Sequence, residues 1–85
     1  MSIKERLYKV ITDLSEVDNP IITDETNLLD DLSFDSVLVV SMIVEIESEF
    51  GIILEDDDLE LDILTNIGPL EKMIRSKVSE VENEY

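Results

Sequence analysis

Cysteine, histidine and tryptophan are all absent from this 85-residue chain. Without cysteine there is no disulfide, no thiolate metal site and no thiol nucleophile. Without histidine the usual general base and the commonest metal ligand are missing. Glycine and proline occur twice each, so every one of them carries weight as backbone punctuation. No apolar run approaches the roughly 18 residues of a membrane helix. The N-terminal Met1-Ser2-Ile3-Lys4-Glu5-Arg6 lacks the apolar core of a signal peptide. A cytoplasmic protein with no membrane insertion is expected.

Positive charge is scarce as well. Lys4, Arg6, Lys9, Lys72, Arg75 and Lys77 stand against 22 acids, for a net charge of −16, and nothing basic lies between Lys9 and Lys72. Such a middle repels nucleic acid and anionic membrane surfaces. It steers in proteins that present Lys and Arg. What the chain does have is apolar content, at 44%, which excludes a disordered acidic tail. A chain this short makes one small domain with a thin core. Residues 1–85 are read as that single domain, with a core over about 3–78 and a fraying tail over 79–85. A monomer is expected.

The patterning predicts an all-α fold: a small four-helix bundle of three longer helices and a short third one, with a long loop between the first two. Ser2 and Glu5 form a capping-box pattern. Ile3, Leu7, Val10, Ile11 and Leu14 follow on one face, and Asp18-Asn19-Pro20 supplies a stop. Residues 16–34 read as loop, with Ile21, Ile22, Leu28, Leu29 and Leu32 packing it across the helices. The second helix starts at Asp35 or Ser36 and ends near Phe50, with Asp35 as N-cap and Gly51 as C-cap. Its apolar face is read as Val37, Val40, Ile43 or Val44, Ile46 (or Glu47) and Phe50. A strand over 37–44 competes, because β-branched residues are dense there; the run's length favours helix. Acids at Glu55–Asp58 suit the start of a short helix carrying Leu59, Leu61, Ile63 and Leu64. Thr65 or Asn66 caps the last helix and Pro69 fits its first turn. Its apolar positions are Ile67, Leu70, Met73, Ile74, Val78 and Val81, with Lys72, Arg75 and Lys77 late enough to complement its dipole.

Chemistry of the chain's own is hard to find: no base, no thiol and no metal set, so no enzyme is expected. Asp56-Asp57-Asp58-Leu59-Glu60 lacks the alternating ligands and central glycine of a Ca²⁺ loop, which leaves diffuse cation attraction. Ser36 stands out instead. It sits at a helix start, beside unpaired N–H groups and the positive dipole end, a favourable position for a phosphodiester.

The segment Asp31-Leu32-Ser33-Phe34-Asp35-Ser36-Val37 resembles the Leu-Gly-x-Asp-Ser-Leu signature of acyl carrier proteins. Thr26-Asn27-Leu28-Leu29-Asp30-Asp31-Leu32 resembles the family's lead-in, and Glu47 with Phe50-Gly51-Ile52 its Glu-x-x-Phe-Gly-Ile stretch. The resemblance covers about residues 3–78. It implies that Ser36 carries 4′-phosphopantetheine, installed from coenzyme A by a phosphopantetheinyl transferase, with Asp35 helping the transferase and its Mg²⁺ engage. The arm's thiol would hold acyl groups as thioesters in fatty acid, polyketide or related biosynthesis, which accounts for the missing cysteine. Acyltransferases, ketosynthases or acyl-ACP ligases with basic docking surfaces are the implied partners. They would meet Val37, Leu38, Ser41, Glu45, Glu47 and Glu49. An acyl cleft would be lined from Val40, Ile43, Ile46, Phe50, Leu54, Leu59 and Ile63, all of them core candidates too. Glu47 can instead serve structurally at the core edge.

Departures from the pattern are Ser33 for glycine, in a turn that can require positive φ, and Val37 for leucine. Leu38 and Ser41 stand where acids are common, making the start of the second helix more apolar and pointing to specialised partners. Two other readings stay open: a peptidyl or aminoacyl carrier, and an unmodified acidic helical adaptor for basic proteins.

Overall fold

The computed structural model describes residues 2–82, and of Glu82 only the backbone. Among them lie five α-helices and no strand: α1 Ile3–Leu14, α2 Leu28–Leu32, α3 Ser36–Phe50, α4 Leu61–Leu64 and α5 Ile67–Glu82. A 3-10 turn, Asp56–Asp58, precedes α4. The three long helices form the bundle, with α1 packed on α3 and α5, and α4 on α5.

Local chemistry explains the helix starts. In α1 the Ser2 hydroxyl accepts from Glu5 N–H at 3.1 Å while Glu5 reaches back to the Ser2 N–H, the expected capping box. The helix ends at Leu14, ahead of Asp18-Asn19-Pro20. Ser15 is already extended, and its hydroxyl accepts from Val17 N–H at 3.1 Å, a local bond that competes with another helical turn.

The loop after α1 holds the short helix α2, which sequence reading missed. Five residues are too few for a hydrophobic period to register. The signal was Asn27, whose side chain accepts from both Leu29 N–H and Asp30 N–H at 2.9 Å. Leu28, Leu32 and Phe34 are buried, so this segment does pack across the helices, whereas Ile21 and Leu29 face solvent.

α3 inverts part of its expected face. Its buried residues are Val39, Met42, Ile46 and Phe50, while Val37, Val40 and Val44 are exposed. The first turns are apolar nearly all round, so spacing alone could not select the inward side. Met42 and Ile46 are fully buried in a core that also takes Leu7, Ile11, Leu28, Ile67, Leu70 and Ile74. Truncating either to alanine is expected to cost about 2–5 kcal/mol.

The acidic third helix is in fact two pieces, the 3-10 turn and α4, joined through Leu59 and Glu60. Glu55 N–H donates to Asp58 at 2.9 Å, closing the acidic turn on itself. Lys77 then ties Asp58 to α5 at 2.8 Å. That ion pair holds the Asp58 carboxyl below its ordinary value. It also corrects the dipole reading of the basic residues: α5 continues to Glu82, and its last turn has no base. The frayed tail read over 79–85 is therefore helical as far as Glu82, and residues 83–85 lie outside the described ones.

Candidate functional site

The start of α5 is closed by tertiary contacts. Ile67 N–H donates to Thr26 O at 3.1 Å and Gly68 N–H to Asp24 O at 2.9 Å. The third position is Pro69, which has no N–H to satisfy. Leu28 N–H returns a bond to Thr65 O at 2.7 Å, and the Asn27 amide donates to Asn66 Oδ1 at 3.1 Å. A methyl group on Gly68 would stand 3.0 Å from Asp24 O, so this approach needs glycine. Asp24 is itself held by Lys4 at 3.3 Å and by the Tyr8 hydroxyl at 3.2 Å. Those two partners lower the Asp24 carboxyl from its usual range. Burial, then the neighbouring carboxylate, pushes the Tyr8 phenol up to about 12.

This latch fixes the loop, and the loop presents α3. Ser33 ends α2 in the left-handed region, φ 56°, which is the positive φ anticipated at this substitution for glycine. The turn buries Phe34 and brings Asp35 to the head of α3, where its carboxylate accepts from Leu38 N–H at 2.9 Å. Ser36 follows on the first turn, exposed. The Ser36 and Val37 N–H groups meet no acceptor among the described residues. An exposed hydroxyl thus sits beside two free donors at a positive dipole end, with no side-chain base to activate it.

Ser36 also lies on the rim of an apolar groove of about 390 Å³ lined by Leu29, Val39, Val40, Ile43, Leu59, Leu61 and Leu64. Of the cleft residues expected from sequence, Val40, Ile43 and Leu59 line it. Ile46, Phe50 and Leu54 do not, because they are closed into the core, and Ile63 is not part of the lining either. Val39 was missed although counting from Ser36 itself at helical spacing reaches 39, 40 and 43. Leu29, Leu61 and Leu64 come from other elements and carried no local signal.

The residues expected to meet partners are also sorted by the structure. Val37 is exposed, while Leu38 is half-buried and packs against the core. Glu47 accepts from Leu54 N–H at 2.9 Å, the structural use foreseen for it. Glu49 is taken by Arg6 at 2.8 Å, whose guanidinium also lies 4.7 Å over the Phe50 ring. Glu45 is exposed and Ser41 half-buried. Among the described residues, no helix is long and apolar enough to cross a membrane.

A family model described as a phosphopantetheine attachment site matches residues 5–74. An acyl carrier protein of Thermotoga maritima is 33% identical over 73 residues, covering 86% of this chain and 88% of that one. An acyl carrier protein of Lactobacillus acidophilus is 40% identical over 55 residues, 65% of this chain and 69% of its own. One of Petrotoga mobilis is 38% identical over 56 residues, 66% of each chain. The chain therefore belongs to the acyl carrier protein family: a carrier rather than an enzyme, dependent on a 4′-phosphopantetheine group and on the phosphopantetheinyl transferase and acyl-handling enzymes that work with it.

Proposed function

We propose that Ser36 is the attachment point of the 4′-phosphopantetheine group, and that the cargo is an acyl chain handled in fatty acid, polyketide or related biosynthesis. The observation that carries this reading is an exposed serine at the open N-terminus of α3, on the rim of an apolar groove. The Ser36 oxygen would form the phosphodiester, with the free Ser36 and Val37 N–H groups and the helix dipole beside its negative charge. The group supplies the thiol that the chain lacks. Asp35 keeps the first turn in place and lies next to the reacting serine, where the transferase and its Mg²⁺ would engage. The groove offers a cover for the acyl chain from Leu29, Val39, Val40, Ile43, Leu59, Leu61 and Leu64.

The whole chain of 85 residues is proposed to act as one domain in the cytoplasm, with specialised acyltransferases, ketosynthases or acyl ligases as partners. Intact mass spectrometry after incubation with coenzyme A, Mg²⁺ and a broad-specificity transferase tests the attachment. One added phosphopantetheine on the wild type and none on Ser36→Ala is the expected result. Equal addition to both, or none to a folded wild type shown to start unmodified, would move the assignment away from Ser36. Loading with acyl against aminoacyl groups then separates acyl cargo from a peptidyl carrier.

A further inference from the structure

We propose that Lys4 is a two-position switch. On the Asp24 carboxylate it holds the loop down on the start of α5; on the Glu71 carboxylate of α5 itself it lets the loop go. The proposal rests on the carrier reading in one respect, since the loop it governs leads to Leu29, a wall of the groove beside Ser36.

Four bases among the described residues close firmly on an acid: Arg6 on Glu49 at 2.8 Å, Lys77 on Asp58 at 2.8 Å, Arg75 on Glu71 at 3.0 Å and Lys9 on Asp13 at 3.1 Å. Lys4 does not. Its Nζ stands 3.3 and 3.5 Å from the two Asp24 carboxylate oxygens and 4.0 Å from Glu71 Oε1. A charge-assisted N–H···O contact runs to about 2.7–2.9 Å, so the ammonium lies between two seats and is closed on neither. The second seat is incomplete. Glu71 gives Oε2 to Arg75, while its Oε1 is buried and finds no hydrogen-bond partner among the described residues. A buried acceptor without a donor calls for an explanation. The neighbouring donors are committed: the Tyr8 hydroxyl to Asp24 at 3.2 Å and Arg75 Nε to Glu71 Oε2. Lys4 is the group left to serve it.

The two seats differ in kind. The Asp24 side chain is 58% exposed, where water screens an ion pair and leaves it weak. The Glu71 side chain is 13% exposed, where the same contact is stronger but takes Lys4 off the loop. One cation shared by a wet and a dry carboxylate is a bistable element. Its output is the row of bonds that closes the start of α5: Gly68 N–H to Asp24 O at 2.9 Å, Ile67 N–H to Thr26 O at 3.1 Å and Leu28 N–H to Thr65 O at 2.7 Å. With Lys4 on Glu71, the Asp24 side chain keeps the Tyr8 hydroxyl alone, and the row opens from the Asp24 end. The row ends next to Leu29, so the seat Lys4 takes is passed to the groove wall.

The test is amide hydrogen exchange by NMR on the full-length chain, shown by mass to be unmodified, with Glu71→Gln, Lys4→Met and the double variant. Thermal melts show that each is folded, and Lys4→Gln stands in where Lys4→Met is not. Gly68 N–H reports release of the loop. Leu70 N–H, bonded to Asn66 O within the same helix start, is the reference for fraying. Glu71→Gln leaves Lys4 one charged seat, so Gly68 exchange should slow about threefold or more relative to Leu70. Lys4→Met should speed it, and adding Glu71→Gln to Lys4→Met should change nothing further. Unchanged or faster exchange in Glu71→Gln overturns the switch, because Glu71 would then only help to hold Lys4 in place. Equal slowing in both backgrounds overturns it too: relief of repulsion between the two carboxylates, or Arg75 freed to reach Asp24, would explain the effect without Lys4. Addition of phosphopantetheine is scored separately by mass. No addition at Ser36 sinks the carrier reading and leaves the switch standing; unmoved Gly68 exchange with normal addition sinks the switch alone.

Discussion

Two long helices of this fold begin in opposite ways. At α5 the first two N–H groups are taken by carbonyls of a distant loop, and a proline removes the third. At α3 one local side chain, Asp35, takes the third N–H and the first two are left open beside Ser36. The closed start holds the architecture together, because it fixes the loop that delivers α2, Ser33 and Asp35. The open start is free for chemistry. With Ser36 as the proposed attachment point, stability and function fall at different helix ends, and residues at the first should matter for folding while residues at the second should matter for modification.

Between the two starts, the larger effect is expected at the closed one. Gly68→Val pushes a branched side chain against Asp24 O, 3.0 Å from the first added carbon, and should cost about 2 kcal/mol in denaturant unfolding. A cost near zero would show that the loop is not held as tightly as its hydrogen bonds imply. Asp35→Ala at the open start should cost less, about 1 kcal/mol, the usual value of one N-cap. It should also slow phosphopantetheine addition more than its stability loss explains, which a time course by mass spectrometry reads. Ser33→Gly relieves a left-handed serine at φ 56° and should raise stability by about 0.5 kcal/mol, with addition to Ser36 retained.

The smallest effect is the pH dependence of the closed start. Asp24 sits below its ordinary value of 3.8, so its contribution is present above that pH and is lost as the pH falls through the lower folded value. Tyr8, raised from 10.0 to about 12, favours the folded state below pH 10 and loses that contribution as the pH climbs toward 12. Tyr8→Phe should therefore flatten the alkaline limb of a Tm against pH curve. An unchanged limb would detach Tyr8 from the latch.

Much of this was legible in the chain. The capping box at Ser2 and Glu5, the Asp35 cap, the Gly51 stop in the left-handed region at φ 64° and the positive φ at Ser33 are all local, decided within four residues by hydrogen-bond and steric rules. The motif around Ser36 was legible for the same reason. The inward side of α3 was not, because Val37 to Val44 offers apolar side chains in every direction and only the positions of α1 and α5 select among them. The groove lining was half legible: its α3 residues follow helical spacing from Ser36, whereas Leu29, Leu61 and Leu64 arrive from elsewhere in the chain.

Sequence by itself determined the helix boundaries marked by caps, the acidic surface with its bases at the two ends, and an exposed serine at the head of the central helix. These follow from side chains acting on their own backbone and from net charge, which need no partner element. Tertiary structure alone decided which valines of α3 are buried and which face solvent. It decided that Glu47 and Glu49 are spent on Leu54 N–H and Arg6, and that the start of α5 is capped by Thr26 O and Asp24 O rather than by the side chain of Thr65 or Asn66. Each depends on groups up to 43 residues apart meeting in space, and no local rule of spacing carries that information.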